Sequence, residues 1–254
     1  MLSESALREF SDRGYTVLPT VFGARDVARM RLAFKRLEQR AHQVEERSLV
    51  DGSLFVTERT PEGRLKIERI VWCGGAEPVL ARLGRERTVV AAAAELLGTT
   101  VVDQLINQAH IKNPGDGVRF HFHQDSYHRR YGTELFTDVN GKGSFVQTLT
   151  AIDPMTADNG GLFVVPGSHL GGHIPTRDGR LPEGSFDRSA AIPVELAPGD
   201  TLLLSPFTIH GSGPNLGRMP RRVFINGFAS PGANRRDYPG AGFGVRIAAW
   251  NDAA

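Results

Sequence analysis

After Gly98 the chain breaks into short apolar runs separated by glycine, proline, asparagine and aspartate. The runs are TTVVDQLINQAHIK, SFVQTLTAI, GLFVVPGS, AAIPVELA, DTLLLSP and RRVFINGFA. The breakers among them include NPGDG, NGKG, TADNGG and APGD. Several strand-like runs at this spacing, with turn signals between them, restrict the region to a β-sandwich or barrel. The texture before Gly98 is different. SESALREFSDRG carries Ser3 as a helix N-cap and Gly14 as a stop, and YTVLP reads as a short strand broken by Pro19. From Arg25 to about Glu46, Val27, Met30, Leu32, Phe34 and Leu37 recur near a 3.6-residue period, which predicts a long amphipathic helix. A second helix is expected over Arg85 to Leu97. The expected architecture is therefore mainly β with flanking helices, in one domain over 1–254. It divides into mostly helical support over 1–98, a β core over 99–230 and a C-terminal loop or strand over 231–254.

Composition narrows the function classes. The 254 residues are 40% hydrophobic and 23% charged, ordinary for a globular protein able to bury a core. A net charge of only +2 gives no case for a nucleic-acid partner. The single cysteine, Cys73, excludes an internal disulfide and a cysteine-rich zinc site, and it fits a reducing cytoplasm. MLSESALREF has neither the basic nor the apolar region of a signal peptide. The most apolar stretch, VVAAAAELLGTTVV, is interrupted by Glu95 and Gly98 and is too short to span a bilayer. The expectation is a cytoplasmic protein with no membrane partner.

RFHFHQDSYHRR, Arg119 to Arg130, gathers three of the eight histidines around one aspartate. Such a cluster suits a divalent metal, a charged surface loop, or a base with its orienting acid. If the segment is extended, His121, His123 and Asp125 project to one face. Taken alone, a His-x-Asp pair is a weak signal. His210 lies 87 residues beyond His123 and closes the apolar run LLLSPFTIH, well placed to be a third ligand. Two histidines and one carboxylate leave coordination positions open, the arrangement of non-haem Fe(II) oxygenases. Arg221 follows His210 by eleven residues. A hairpin through GSGPNLGRMP would return it near His210, where its guanidinium could grip a carboxylate, helped by the Ser212 hydroxyl.

These residues resemble the phytanoyl-CoA dioxygenase family of Fe(II)/2-oxoglutarate oxygenases. HQD at His123–Asp125, NGGLFVVPGSH at Asn159–His169, PGD at Pro198–Asp200 and HGSGPN…PRR at His210–Arg222 stand in the family's order, and FSDRGYTVLPTVF looks like its opening. The resemblance implies a double-stranded β-helix, or jelly roll. It implies His123, Asp125 and His210 as iron ligands, and Arg221 on the distal carboxylate of 2-oxoglutarate with Ser212 in support. Gln108 and, by a looser match, Lys66 are further expected cosubstrate contacts. His121 departs from the family's apolar or aromatic residue and is expected to line the site. Tyr127 and His128 are candidates to meet substrate. His169 is expected to bond within its own turn.

The implied reaction uses Fe(II), 2-oxoglutarate and dioxygen to oxidise, most simply to hydroxylate, an unactivated C–H of a small molecule. The presence of Asp125 argues against the family's halogenases, in which a small residue replaces this carboxylate. Epimerisation, ring closure and desaturation stay open. The Arg, Ala and Gly richness is in the style of high-GC bacteria and points by analogy to secondary-metabolite tailoring. Two other classes stand beside this one: a cupin-type metal-binding isomerase or hydrolase, and a non-catalytic binding module.

Overall fold

Ser3 caps α1 (Glu4–Arg13) by accepting from the Ala6 amide, and Gly14 ends it at φ 82°, a left-handed conformation that glycine adopts without strain. β1 (Tyr15–Leu18) follows. α2 (Ala24–Ala41) buries Val27, Met30, Ala33, Phe34, Leu37 and Ala41, and ends before the expected Glu46. Leu32 is 58% exposed, because a stripe advancing by three or four residues passes over position 32 and takes Ala33 instead. The computed structural model describes residues 1–60 and 62–249. The end of the C-terminal segment named above, 250–254, lies outside the described residues.

The region expected to be mostly helical also holds an antiparallel meander, β2 (Ser48–Val50), β3 (Ser53–Arg59) and β4 (Leu65–Val71). α3 (Pro78–Leu83) and α4 (Arg87–Leu97) follow. Glu86 caps α4 by accepting from the Thr88 and Val89 amides, and Gly98 closes it. Each of the six apolar runs then supplies a strand. In chain order the elements are β5 (Val101–Lys112), β6 (Phe120–His123), α5 (Asp125–Arg129), β7 (Phe145–Ala151), β8 (Leu162–Val164), β9 (Ile192–Val194), β10 (Thr201–Leu204), β11 (His210–Ser212), β12 (Arg221–Ala229) and β13 (Val245–Ala248). No helix among the described residues is long and apolar enough to cross a membrane.

The strands form two antiparallel sheets. The larger runs β1-β10-β7-β12-β5-β4-β3-β2, with β13 added on β5, and the smaller runs β6-β11-β8-β9. This is a jelly roll. Period-2 alternation gives the large sheet two different faces. Ala109, Ile111, Phe224 and Phe228 point outward into a core shared with α2 and α4. Gln108, His110, Val223 and Ile225 point the other way and line a cavity, which the small sheet also borders through Phe120, His123, His210 and Ser212.

Candidate metal centre

His123 ends β6, and Asp125 begins α5. The expectation of three alternating side chains on one extended face is therefore corrected. The strand stops at His123, and Asp125 reaches the cluster through a helical turn. β6 also carries a β-bulge. His123 pairs with His210, yet Phe120 and not His121 pairs with Ser212. The extra residue shifts the alternation, so Phe120 and His123 both line the cavity and His121 stands exposed outside it. Gly211 permits this close approach: a Cβ there would lie 3.0 Å from the Phe122 amide nitrogen.

One donor atom from each of His123, Asp125 and His210 lies within 4.8 Å of the others. His123 Nε2 is 3.9 Å from Asp125 Oδ1, and His210 Nε2 is 3.9 Å from Asp125 Oδ2. The other ring nitrogens are anchored. His123 Nδ1 donates to the His121 carbonyl at 2.7 Å, and His210 Nδ1 donates to the Thr208 carbonyl at 2.9 Å. These bonds hold both rings with Nε2 turned toward the carboxylate, as metal-binding histidines are commonly held through their other nitrogen. Asp125 Oδ2 is buried without a hydrogen-bond partner. Burial, with His210 next, lowers His123 to about 3, so its ring is neutral. Burial alone would raise Asp125, but His210, His123 and Arg129 hold it below the usual carboxylate range. Two imidazoles with their Nδ1 atoms anchored and an ionised, under-satisfied carboxylate fit a divalent transition ion.

A second cluster sits beside the first. Arg221 is 3% exposed, and its Nη2 donates to the Gly160 carbonyl while its Nε is buried without a partner. It arrives differently from the expected hairpin. β11 lies in the small sheet and β12 in the large one, so Arg221 reaches the cavity from the opposite wall. Ser212 also lines the cavity, and its hydroxyl accepts from Lys112 Nζ at 2.7 Å. Lys112 pairs directly with Arg221 across β5 and β12 and is fully buried. Its ammonium also donates to the Gly160 and Gly213 carbonyls. Burial, then Arg221, lowers Lys112 to about 6, and burial lowers Arg221 to about 10. Arg221 is charged and Lys112, held near 6, is ready to become so; with no carboxylate ion-paired to either among the described residues, the pair can receive an anion.

Other expected residues divide. Gln108 lines the cavity, where its Oε1 lies 3.1 Å from His110 Nε2. His128 lines the rim, its ring 5.3 Å from that of His123. Lys66 does not reach the cavity. It pairs with Glu58 across β3 and β4 at 3.1 Å, while Arg69 and Val71 of the same strand line the wall. Tyr127 turns away under the 173–185 loop, where its ring packs against Gly179 and its hydroxyl donates to the Arg177 carbonyl. His169 bonds not within its turn but to the Ser11 carbonyl at the end of α1. The sequence reading missed Lys112, His110, Arg69 and Arg129. Period-2 alternation through β5 carries Gln108 to His110 and Lys112 and could have found two of them.

A jelly roll with two histidines and a carboxylate on its inner wall, next to a buried arginine backed by a lysine, defines the double-stranded β-helix oxygenase class. Within it the chain belongs to the phytanoyl-CoA dioxygenase (PhyH) family, Fe(II)/2-oxoglutarate-dependent enzymes, whose model matches residues 10–223. The chain is 28% identical over 146 residues to the multifunctional dioxygenase prhA of Penicillium brasilianum, a match covering 50% of this chain and 47% of that protein. It is 25% identical to the ectoine dioxygenase of Streptomyces avermitilis, covering 88% of this chain and 78% of the relative. The crystal structure of EctD from S. alaskensis with 2-oxoglutarate and 5-hydroxyectoine shares the fold at TM-score 0.73 and 23% identity, over 96% of this chain and 80% of that one.

Proposed function

We propose that the chain is a non-haem Fe(II)/2-oxoglutarate-dependent dioxygenase that hydroxylates an unactivated C–H of a small molecule, working as one catalytic unit over 1–254. The observation that carries this reading is the juxtaposition of two under-satisfied side chains in one cavity. The buried, unpartnered Asp125 Oδ2 sits in the cluster with two histidine Nε2 atoms, and Arg221, whose Nε is buried without a partner, lines the same cavity with Lys112 behind it.

In this reading His123, Asp125 and His210 hold the iron. Arg221 and Ser212 hold the distal carboxylate of 2-oxoglutarate, Lys112 backs them through its bond to the Ser212 hydroxyl, and Gln108 flanks it. The chemistry supplied by bound iron and its cosubstrate is decarboxylation of 2-oxoglutarate to succinate, coupled by dioxygen to oxidation of the substrate C–H. The chain's own part is to orient and to exclude water. The carbonyls of His121 and Thr208 lock the two imidazoles, and Ile106, Leu149 and Val223 keep the wall apolar. Arg221 is the residue that a cupin-type isomerase or hydrolase would not need. Hydroxylation is the simplest outcome of this chemistry, and the ectoine dioxygenase relative supports oxidation of a small molecule; epimerisation and ring closure are the alternatives. A role in bacterial secondary metabolism rests on composition, and a cytoplasmic location on the buried free thiol of Cys73.

The test is anaerobic addition of Fe(II) and 2-oxoglutarate to the protein. The visible metal-to-ligand charge-transfer band of the chelate should form, and His210→Ala should lose it. Arg221→Ala should require far more 2-oxoglutarate. Absence of the band in metal-loaded wild type would reject the reading and bring the cupin-type alternative forward.

A further inference from the structure

The cosubstrate reading leaves cavity charge unused. Five arginines line the cavity, Arg47, Arg69, Arg129, Arg221 and Arg236, against a single carboxylate, Asp125. They come from separate segments: the loop before β2, then β4, α5, β12 and the loop before β13. Arg69 pairs with its neighbour Glu68, whereas Arg47, Arg129 and Arg236 form no ion pair among the described residues.

Arg129 is the informative one. It is 6% exposed, and its Nε and Nη1 are buried without a partner. Its guanidinium carbon lies 5.0 Å from the centroids of both the Phe145 and Tyr238 rings. The rings hold the cation by its π contacts, and neither makes a hydrogen bond to its buried N–H groups. Arg236 lies over the same Tyr238 ring at 5.0 Å and donates to the His128 carbonyl at 2.8 Å, so two guanidinium groups share one ring at the cavity wall. An unpaired buried charge is costly. An arginine fixed by stacking at a cavity wall, with two donors unmatched and only the charge of Asp125 near it, can take a further anion as its partner.

We propose that the substrate is a small organic acid whose carboxylate is clamped by Arg129, with Arg236 and Arg69 around it. This rests on the Fe(II)/2-oxoglutarate reading, in which Arg221 and Lys112 are already taken by the cosubstrate. A carboxylate matches the planar fork of arginine with two parallel hydrogen bonds. The remaining wall, with Leu54, Val56, Ile106 and Leu149, suits a hydrocarbon body. The cavity holds about 270 Å³, below the roughly 300–1,000 Å³ usual for small-molecule sites, and iron and 2-oxoglutarate share that space, so only a compact acid fits beside them.

The test titrates the anaerobic Fe(II)–2-oxoglutarate protein with propionate and with benzoate, reading perturbation of the charge-transfer band. Both acids should act saturably, and their primary amides should bind about tenfold more weakly or worse. Arg129→Gln should keep the band formed with 2-oxoglutarate but lose the acid response by a similar factor, and Arg129→Lys should recover part of it. Should Arg129→Gln not fold, Arg69→Gln on the rim should weaken acid binding about threefold. The proposal is overturned by acids that do not bind, by amides that bind equally, or by an acid response that excess 2-oxoglutarate abolishes. It is also overturned if Arg129→Gln loses the band itself, which would give Arg129 to the cosubstrate. Inorganic phosphate binding more tightly than both acids would overturn the carboxylate assignment. A missing band in wild type, seen before any acid is added, sinks the oxygenase reading and this inference with it.

Discussion

The two faces of the large sheet solve the same problem in opposite ways. On the helix-facing side Asn226 Oδ1 accepts from both Asn107 Nδ2 at 2.9 Å and Gln104 Nε2 at 3.0 Å. Asn107 Oδ1 in turn accepts from the Gly74 amide, and the Leu80 carbonyl receives the other Asn107 proton. Both amide oxygens of this pair of asparagines and the Asn107 and Gln104 amide groups thus have partners in the chain, although Thr57 Oγ1 on the same side is buried without one. On the cavity side, buried atoms of Asp125, Arg129 and Arg221 have none. Satisfied buried amides stabilise and specify packing, whereas unsatisfied ions destabilise the free protein and are retained where a ligand completes them. The strands are shared, so β5 and β12 carry structure on one face and chemistry on the other.

The largest expected effect is on the cavity side. His210→Ala should reduce 2-oxoglutarate turnover more than about 100-fold, beyond the 10–100-fold typical of outer-shell residues, in a succinate-release assay. Next, Arg221→Met should weaken 2-oxoglutarate binding by about 2–5 kcal/mol in a titration. The same change should stabilise the ligand-free protein by about 1–2 kcal/mol in denaturant unfolding, because it removes a buried unpaired charge. Asn226→Ala should do the reverse. By stranding the Gln104 and Asn107 amides it should cost about 1–3 kcal/mol of stability and leave the 2-oxoglutarate band in place. A loss of stability in Arg221→Met, or none in Asn226→Ala, would erase the contrast between the faces.

Two smaller effects sharpen it. Lys112 is held near 6 and is therefore neutral at pH 7–8 in the free protein. A bound carboxylate favours its charged form, so 2-oxoglutarate binding should take up a proton in that window and tighten as pH falls toward 6. Calorimetry in buffers of different ionisation enthalpy measures the uptake, which Lys112→Met should abolish. The sign for folding follows from the same shift. Between about 6 and the unfolded lysine value of about 10.4 only the unfolded chain binds this proton, so Lys112 makes ligand-free stability rise with pH. Lys66→Ala should change stability by less than about 0.5 kcal/mol and leave 2-oxoglutarate affinity alone, since the exposed Lys66–Glu58 pair is outside the cavity.

Much of this was legible in the sequence, for identifiable reasons. Helix caps and turn residues are local, so Ser3, Gly14 and Gly98 marked their boundaries, and each of the six apolar runs is a strand. Motifs placed His123, Asp125, His210, Ser212 and Arg221 around one cavity. What was not legible is set by long-range pairing. β3 and β4 alternate too weakly against SLFVTERTPEGRLKIERIV to stand out from a helical neighbourhood. Lys112 looks like a surface lysine until β5 and β12 bring it beside Arg221. Arg129 looks like half of an exposed pair until Phe145 and Tyr238, far along the chain, close over it.

The single extra residue in β6 has a consequence for how this site can change. Phe120 and His123 are three residues apart and both face the cavity only because of that half-step, so the strand works as a parity counter. Exchanging one side chain for another between them leaves the count intact. Removing one of the two residues between them would restore plain alternation opposite Ser212 and His210, with both ends still facing inward. The position of His123 therefore rests on its pairing with His210, and the bulge is the part of this strand that can be lost.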